Sequence, residues 1–348
     1  MNENVVVFDF GGSTLKAGYG GESEPSIIIP STGPTTTVHG QNGLSDKIVP
    51  LLGNGFKSPI ENRVINNFEN MEKLLNFIYQ HDLRVTPEKQ SVLFADSPLS
   101  SIQSKEKLLQ IFMETYRVPY FCLSNAPTLS LYNSGVTSGI VIDSGESVTD
   151  IVPIYEGFTL SHLIQRVEIG GRHINEYLKR LVVSQNPQIS GEKGLFREMK
   201  EQIGCVQEYN DQKILGKEFE TPDKKKIIVG DSRYLCSEIL FNPSLISSNS
   251  TGLIASLNQI IGDLDLDIKP QMLDKVLLCG GSTLLEGFSN RIKNELKQDN
   301  GILAPPNRKI ASWVGGSIFS SIETFKDIAI SQKDYMEYGP KIITIKVY

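Results

Sequence analysis

Three times in this chain of 348 residues an apolar run ends in a turn of small residues. The stretches are Val7-Phe8-Asp9-Phe10-Gly11-Gly12-Ser13-Thr14, Ile142-Asp143-Ser144-Gly145-Glu146-Ser147 and Leu278-Cys279-Gly280-Gly281-Ser282-Thr283. A turn of this composition leaves successive backbone N–H groups unobstructed by Cβ atoms, and such a concavity binds phosphate oxygens. Two of them facing each other would clamp a polyphosphate. The first two carry an aspartate at the strand end, Asp9 and Asp143, and two carboxylates aimed at a triphosphate need a divalent cation between them. Magnesium, held by oxygens and keeping several waters, suits that place. Lys16 would add a point charge near the β-phosphate. Taken singly, each turn is equally well a tight turn after a strand; the repetition with matching acids is what favours the phosphate reading. The pattern is neither a Walker A loop nor a dinucleotide fingerprint, since neither GxxxxGK[ST] nor GxGxxG is present.

The elements that must hold these turns are those of an α/β protein. Short β-rich runs (Val5–Phe8, Ser91–Phe94, Gly139–Ile142, Ile227–Val229, Val276–Leu278) alternate with segments of helical period. Met71, Leu74, Leu75 and Ile78 fall on one helical face, as do Ile174, Tyr177, Leu178, Leu181 and Val182. A third helix is expected to start at Ser104 as N-cap, burying Leu108, Leu109, Phe112 and Met113. Residues 31–58 lose every apolar period and read as loop or a small, weakly structured appendage, and residues 211–226 read as a polar hairpin. The Lys224-Lys225-Lys226 run is explained by a solvated turn.

Composition narrows the partners. Hydrophobic residues make up 39% and charged residues 21%, enough for at least two cores, and the net charge of −6 leaves no basic field for nucleic acid. No segment nears the ~20 apolar residues of a membrane span, and the start of the chain has no leader pattern, so an intracellular protein is expected. Cys122, Cys205, Cys236 and Cys279 lie far apart without a CxxC, which predicts reduced, buried thiols.

The stretch from Asp9 through Gly12, Ser13, Thr14, Lys16 and Tyr19 to Gly21 resembles the first phosphate loop of the actin family, and Gly139 to Gly157 resembles its second. The likeness continues in order through Val118-Pro119, Leu129 to Gly135, Gly170-Gly171-Arg172, Met199-Lys200-Glu201, Leu240 to Pro243, Gly280 to Thr283, Pro305-Pro306, Arg308-Lys309 and Trp313 to Ile318. The resemblance implies an actin-like ATPase fold: two duplicated ribonuclease-H-like α/β domains around a nucleotide cleft, each with a subsidiary lobe. The implied division is residues 1–30, 59–133 and 311–348, a reduced second subdomain at 31–58, a third at 134–168 and 249–310, and a fourth at 169–248. It implies ATP or ADP with Mg²⁺ as cofactors. Gly11, Gly12, Ser13, Thr14 and Lys16 would meet the phosphates from one side and Gly145, Glu146, Ser147 and Val148 from the other. Asp9 and Asp143 would hold magnesium through water, and Gly170 would let the chain pass close to the sugar and phosphates. Arg197, Lys200, Glu201, Gly280, Gly281, Ser282, Leu285 and Lys309 would line the nucleoside pocket, Glu201 accepting from the ribose; Arg197 and Lys309 are as readily solvated basic side chains.

Departures from the family are as informative. Where the family places a glutamine, in a helix before Leu-Ser-Leu-Tyr, and a histidine after the second phosphate loop to activate water, this chain has Asn125 and Asp150. Asparagine is one methylene, about 1.5 Å, shorter, and a misplacement of about 1 Å can cost ~100-fold in rate. Asp150 sets a carboxylate beside a polyanion unless it is protonated or paired with metal, although an aspartate is also a general base where geometry allows. Pro127 is expected to disfavour a helical Ala126. Gly12 stands where the family has a γ-phosphate-sensing serine, with Ser13 beside it as a substitute. Residues 31–58 are shorter than the family's contact loop and poor in apolar surface, and the tip Ser244–Asn249 is mostly polar, so self-association is weakened. Tyr132, Gly135, Thr137, Phe319 and Ile322 match the family's target-binding cleft, where an amphipathic helix could lie; Phe319 and Ile322 are equally explained as core. The resemblance therefore implies an ATP-binding, weakly or non-hydrolysing subunit with actin-like or scaffold protein partners, in the cytoplasm and cytoskeleton or the nucleus. The alternative is a divergent actin that polymerises and hydrolyses ATP. A sugar kinase or chaperone ATPase of the same ancestry would need extra domains.

Overall fold

The computed structural model describes residues 4–33, 35–38, 47–52, 56–187, 189, 193–209, 214–222, 224–297 and 301–346. The chain folds as two compact units, Met1–Val136 with Ile310–Tyr348, and Thr137–Lys309.

The first unit is built on a sheet whose strands run in the spatial order Ile330–Ser331, Tyr120–Asn125, Ser91–Asp96, Val5–Phe10, Thr14–Tyr19, Ile27–Pro30. Val5–Phe10 and Thr14–Tyr19 form an antiparallel hairpin, while Ser91–Asp96 joins Val5–Phe10 in parallel and Tyr120–Asn125 joins Ser91–Asp96 in parallel. Both faces are covered, so Val5–Phe10 and Ser91–Asp96 read as unbroken apolar runs rather than alternating ones. On one face Phe8, Phe94, Phe112 and Phe121 pack with Tyr79 and Tyr116, the Phe112 and Phe121 rings stacked at 5.0 Å; each buried phenyl contributes roughly 1.5–3 kcal/mol. On the other, Trp313 of helix Ala311–Ser320 is fully buried and donates its indole N–H to the Val7 carbonyl at 3.0 Å. The expected helical stripe at Met71, Leu74, Leu75 and Ile78 is buried as read.

The second unit repeats the scheme. Its sheet runs Phe158–Thr159, Thr149–Tyr155, Gly139–Ser144, Val276–Cys279, Ile302–Leu303. Gly139–Ser144 and Thr149–Tyr155 make the antiparallel hairpin, and Val276–Cys279 pairs in parallel with Gly139–Ser144 as Ser91–Asp96 does with Val5–Phe10. The short strand Gln165–Val167 adds to Thr149–Tyr155. Ile174, Leu178 and Val182 of helix Gly171–Gln185 fill the core. The polar hairpin is present as Lys217–Glu220 against Lys226–Val229, so the Ile227–Val229 run belongs to this ribbon and not to the main sheet.

Three local expectations are corrected. The second helix of the first unit spans Ile102–Gln110 and is capped by Ser101, whose hydroxyl accepts from the Ser104 N–H at 3.1 Å; Ser104 is therefore inside the helix. Ala126 is helical, the first residue of Ala126–Asn133, because Pro127 occupies a first-turn position whose N–H has no intrahelical partner to lose. Within 31–58, Thr35–Val38 pairs antiparallel with Lys47–Pro50, a ribbon that the turn-rich composition hid. All four cysteines are buried free thiols, as expected.

Candidate nucleotide site

In each unit the hairpin turn closes with the same bond. The Gly11 N–H donates to the Thr14 carbonyl at 3.1 Å, and the Gly145 N–H to the Val148 carbonyl at 3.1 Å. Each turn is then tied back by its carbonyls. In the first unit Ser31 donates its hydroxyl to the Gly11 carbonyl and its N–H to the Ser13 carbonyl. In the second the carbonyls of Gly145 and Glu146 accept from the N–H groups of Gly171 and Arg172, at 2.9 and 2.8 Å, at the start of helix Gly171–Gln185. The Ser282 hydroxyl adds a bond to the Gly145 carbonyl at 3.0 Å. The N–H groups of Gly12, Ser13, Glu146 and Ser147 take part in none of these bonds, which is the disposition an anion requires.

The side chains around the first turn are buried and charged. Asp9 and Lys16 are register partners across the hairpin, and Lys16 Nζ lies 2.8 Å from Asp9 Oδ2, which also accepts from the Ser312 hydroxyl at 2.7 Å. Burial pushes the Asp9 carboxyl up, but the charge and hydrogen bond of Lys16, with the Ser312 bond, outweigh it and hold Asp9 below the ordinary range. A Cβ on Gly11 would lie 3.7 Å from Lys16 Nζ, so the ammonium sits beside the turn as well as on Asp9. The Ser13 hydroxyl oxygen is shut off from solvent without a hydrogen-bond partner. A hydroxyl held that way fits a phosphate oxygen.

In the second unit Gly170 lies on the second turn itself, for a Cβ there would meet the backbone of Ser147 and Val148 at 2.7 Å. Gly171 has the more open surroundings of polar side chains: a Cβ there would meet Lys200 Nζ at 3.0 Å, Glu146 Oε2 at 3.1 Å and Ser282 Oγ at 3.2 Å. Glu146, Lys200 and Ser282 thus converge on Gly171, a grouping that spacing alone did not give. Lys200, on helix Lys193–Ile203, is pushed below the ordinary lysine range by burial, with Glu146 opposing. Arg197, half-buried, and Glu201, exposed, are paired on that helix, with Glu201 accepting from Arg197 Nε at 3.0 Å. Lys309 is exposed and Leu285 buried. The third turn is a buttress: Gly280 has φ 83°, a Cβ there would fall 2.3 Å from the Ser144 carbonyl oxygen, and Gly281–Leu284 forms a 3₁₀ turn. Gly281 faces open space.

The two hydrolytic positions differ from expectation. Asn125 is the last residue of strand Tyr120–Asn125 and the N-cap of the following helix, not a residue inside it. Asp150 is fully buried and held side-on by Arg166, which donates from Nε to Oδ1 at 2.6 Å and from Nη2 to Oδ2 at 2.9 Å. Asp150 and Arg166 are register partners on adjacent strands, and Asp150 is also the register partner of Asp143. The carboxylate judged unfavourable beside a polyanion is therefore matched by a guanidinium sixteen residues on. No sequence signal pointed to Arg166, because the pairing depends on the short strand Gln165–Val167 folding back on Thr149–Tyr155.

Among the described residues no three of His, Cys, Asp and Glu converge to hold a metal directly. Asp9 in the first unit and Asp143 in the second are each about 95% buried, and a carboxylate is the donor type that suits magnesium held through water. Of the residues matched to a partner cleft, Tyr132 and Phe319 stack at 5.6 Å in the first unit, where Gly135 (φ 71°) and Ile322 are exposed. Thr137 begins the second unit and is exposed. At the other tip, Pro243–Ile246 is a 3₁₀ turn with Ile246 packed on the core and Leu245 exposed.

A sheet scheme used twice, each copy carrying a tied-back glycine turn after an aspartate-ended strand, defines an actin-like ATPase fold. The family model for actin matches residues 1–348, and the chain belongs to the actin family. It is similar to the Dictyostelium discoideum protein named "Putative actin-29", 35% identical, with 99% of this chain and 97% of that protein covered. No helix of the described residues is long and apolar enough to cross a membrane.

Proposed function

We propose that this chain is an actin-related, ATP-binding structural subunit or filament-end component of a cytoskeletal or other multiprotein assembly, with weak or absent hydrolysis. The observation that carries the reading is the Asp150–Arg166 pair. Both carboxylate oxygens are engaged by the guanidinium, so the group standing in for the family's histidine is ill-placed to take a proton from water. Asn125, shorter than glutamine, acts in the same direction. Binding is supported by the two tied-back turns, by Lys16 and Lys200, and by the Ser13 hydroxyl. In this reading Gly11 to Thr14 and Lys16 take phosphate in one unit, and Gly145 to Val148 with Gly171 and Lys200 in the other. Asp9 and Asp143 hold the hydration shell of magnesium. The nucleotide–magnesium ligand supplies stabilisation of the bound fold. Residues 31–58 form the reduced lobe of the first unit and residues 169–248 that of the second. Tyr132, Phe319 and Ile322 offer protein partners (actin, actin-related subunits or scaffold proteins) an apolar face, in the cytoplasm or nucleus.

Single-turnover hydrolysis of ATP by the purified monomer tests the reading. ATP retained unhydrolysed over many actin turnover times is expected; hydrolysis at an ordinary actin rate refutes it. Pelleting with Mg²⁺, ATP and salt separates the alternative, since a concentration-dependent pellet marks a polymerising actin.

A further inference from the structure

Between helix Phe68–Phe77 and strand Ser91–Asp96 the chain of the first unit bends three times in quick succession. The helix runs on into a π-helical turn, Ile78–Leu83, a rare geometry that recurs at functional sites. Arg84 then takes a left-handed backbone, φ 55°, which a residue other than glycine keeps only where its surroundings hold it there. The Tyr79 carbonyl does so, accepting from the N–H groups of both Arg84 and Val85, the latter at 3.2 Å. Pro87–Lys89 follows as a 3₁₀ turn, closed by the Gln90 N–H on the Pro87 carbonyl at 2.9 Å. These bends surround an open cavity of about 630 Å³, whose lining includes Tyr79, Gln80, Arg84, Thr86, Lys89 and Gln90. That volume is in the range of small-molecule sites. Gln90 leads into the start of strand Ser91–Asp96, whereas the Gly11–Thr14 turn follows the end of Val5–Phe10, its parallel neighbour, so the cavity and the nucleotide turn lie at opposite ends of the same strands.

Two residues of the lining carry buried polar atoms with nothing to bond. Tyr79 is 2% exposed and its hydroxyl has no hydrogen-bond partner; the Gln90 side-chain oxygen is likewise shut off from solvent and unpaired. Buried polar atoms of a folded protein are ordinarily bonded, so two orphans in the lining of one cavity point to a partner that enters it. The Tyr79 ring is fixed in place, its centroid 5.7 Å from that of Phe8 and 5.4 Å from that of Tyr116. Tyr116 does not serve it, since the Tyr116 hydroxyl donates to Asn76 Oδ1 at 3.0 Å. Around the opening stand Arg84 and Lys89, both exposed. Arg84 donates from Nε to the His81 carbonyl at 3.2 Å, and its charge also bears on Asp82; a guanidinium has further N–H groups for a ligand. A phenol, a guanidinium and an ammonium are all donors, so the ligand is an acceptor. Three donors on separate residues suit the three terminal oxygens of a phosphate monoester better than the two of a carboxylate. The Gln90 oxygen is an acceptor for a hydroxyl on the body of such a molecule.

We propose that this cavity is a second anion site, distinct from the nucleotide turns, that takes a small soluble phosphate monoester. The Tyr79 hydroxyl and the Arg84 and Lys89 cations hold the phosphate, and rotation of the exposed rim side chains opens the way to Tyr79. The test is equilibrium dialysis of labelled glycerol phosphate against the full chain kept in excess ATP and Mg²⁺, with glycerol as the uncharged control. It is run on the wild type, Tyr79→Phe, Arg84→Gly and Lys89→Ala, and the thermal midpoint of each protein is measured without ligand. Saturable binding of glycerol phosphate, but not glycerol, is expected of the wild type. Tyr79→Phe removes an orphaned hydroxyl, so its midpoint holds or rises while its affinity falls about tenfold, the worth of a hydrogen bond to a charged group. Glycine suits the left-handed position, so Arg84→Gly also keeps its midpoint, and its affinity falls by about tenfold or more. Lys89→Ala, which removes an exposed point charge, weakens binding by only about threefold. A wild type that does not bind glycerol phosphate overturns the inference, as do Tyr79→Phe and Arg84→Gly proteins that bind it like the wild type. Capture by vesicles containing phosphatidate, without binding of the soluble ester, overturns it in favour of a membrane surface.

Discussion

Replacing Arg166 by alanine puts the reasoning about the second unit at risk. Asp150 is fully buried, and its side chain is 0% exposed against 13% for Arg166. Across the hairpin it faces Asp143, a second buried carboxylate. Removing the guanidinium leaves Asp150 without the cation that holds both its oxygens, next to a like charge, and breaking a buried pair in this way costs about 3–5 kcal/mol. For a unit of this size, each kcal/mol moves the melting midpoint by roughly 2–4 °C. Arg166→Ala is therefore expected to lower the transition of the second unit by about 10 °C, read by calorimetry or by urea unfolding at neutral pH. The decisive arm is the double variant. If the loss comes from the stranded carboxylate, Asp150→Asn in the Arg166→Ala background recovers most of it, whereas Asp150→Asn alone destabilises. That is a coupling of opposite sign to the single effects. An Arg166→Ala protein that loses less than about 1 kcal/mol, or a double variant less stable than Arg166→Ala, refutes the argument.

Lys16→Met removes the charge and the bond that keep Asp9 low against the pull of burial. A carboxyl depressed in the fold gives stability that is present above its unfolded value, near 3.9, and lost as pH falls through the folded value. The variant should lose that stability at neutral pH and shift the acid-unfolding midpoint upward, measured by circular dichroism; an unchanged midpoint would show that Lys16 does not hold Asp9. Gly280→Ala and Gly281→Ala form a contrasting pair. The first sets a Cβ 2.3 Å from the Ser144 carbonyl at φ 83° and is expected to cost several kcal/mol, while the second meets nothing within 4 Å and should leave the melting midpoint within about 2 °C.

What the sequence made legible follows from how local each feature is. The strands under the turns were readable because both faces of each sheet are covered, so Val5–Phe10 and Gly139–Ser144 are apolar without interruption. The turns were readable because glycine has no substitute where backbones touch, as at Gly170 against Ser147 and Val148. What the turns touch was not readable. Gly170 and Gly171 are neighbours of one type, yet one rests on the turn backbone and the other stands among Glu146, Lys200 and Ser282. Only the docking of helix Gly171–Gln185 onto the turn carbonyls decides between them. The partner of Asp150 was not readable for the same reason, since its cation arrives through a three-residue strand with no periodicity to announce it. The ribbon Thr35–Val38 with Lys47–Pro50 lacks any alternation that sequence could display.

The duplication gives these differences a common cause. Each unit presents one hairpin, one tied-back turn and one aspartate at the end of the first strand, and in each the residue across the hairpin from that aspartate is charged. In the first copy it is Lys16, which compensates Asp9 and leaves an ammonium beside the turn. In the second it is Asp150, which is paired instead with Arg166 from the neighbouring strand. The backbone devices are the same and must be, because carbonyls and N–H groups are fixed by the fold. Side-chain charge was free to diverge, and it diverged so that the first copy faces its turn with a cation and the second with a neutralised pair. In the proposed function the cation beside the first turn favours an anionic ligand, and the neutralised pair in the second copy accounts for weak hydrolysis. On the proposed reading, substitution of Lys16 should weaken nucleotide binding, whereas substitutions at Asp150 and Arg166 should change hydrolysis more than binding.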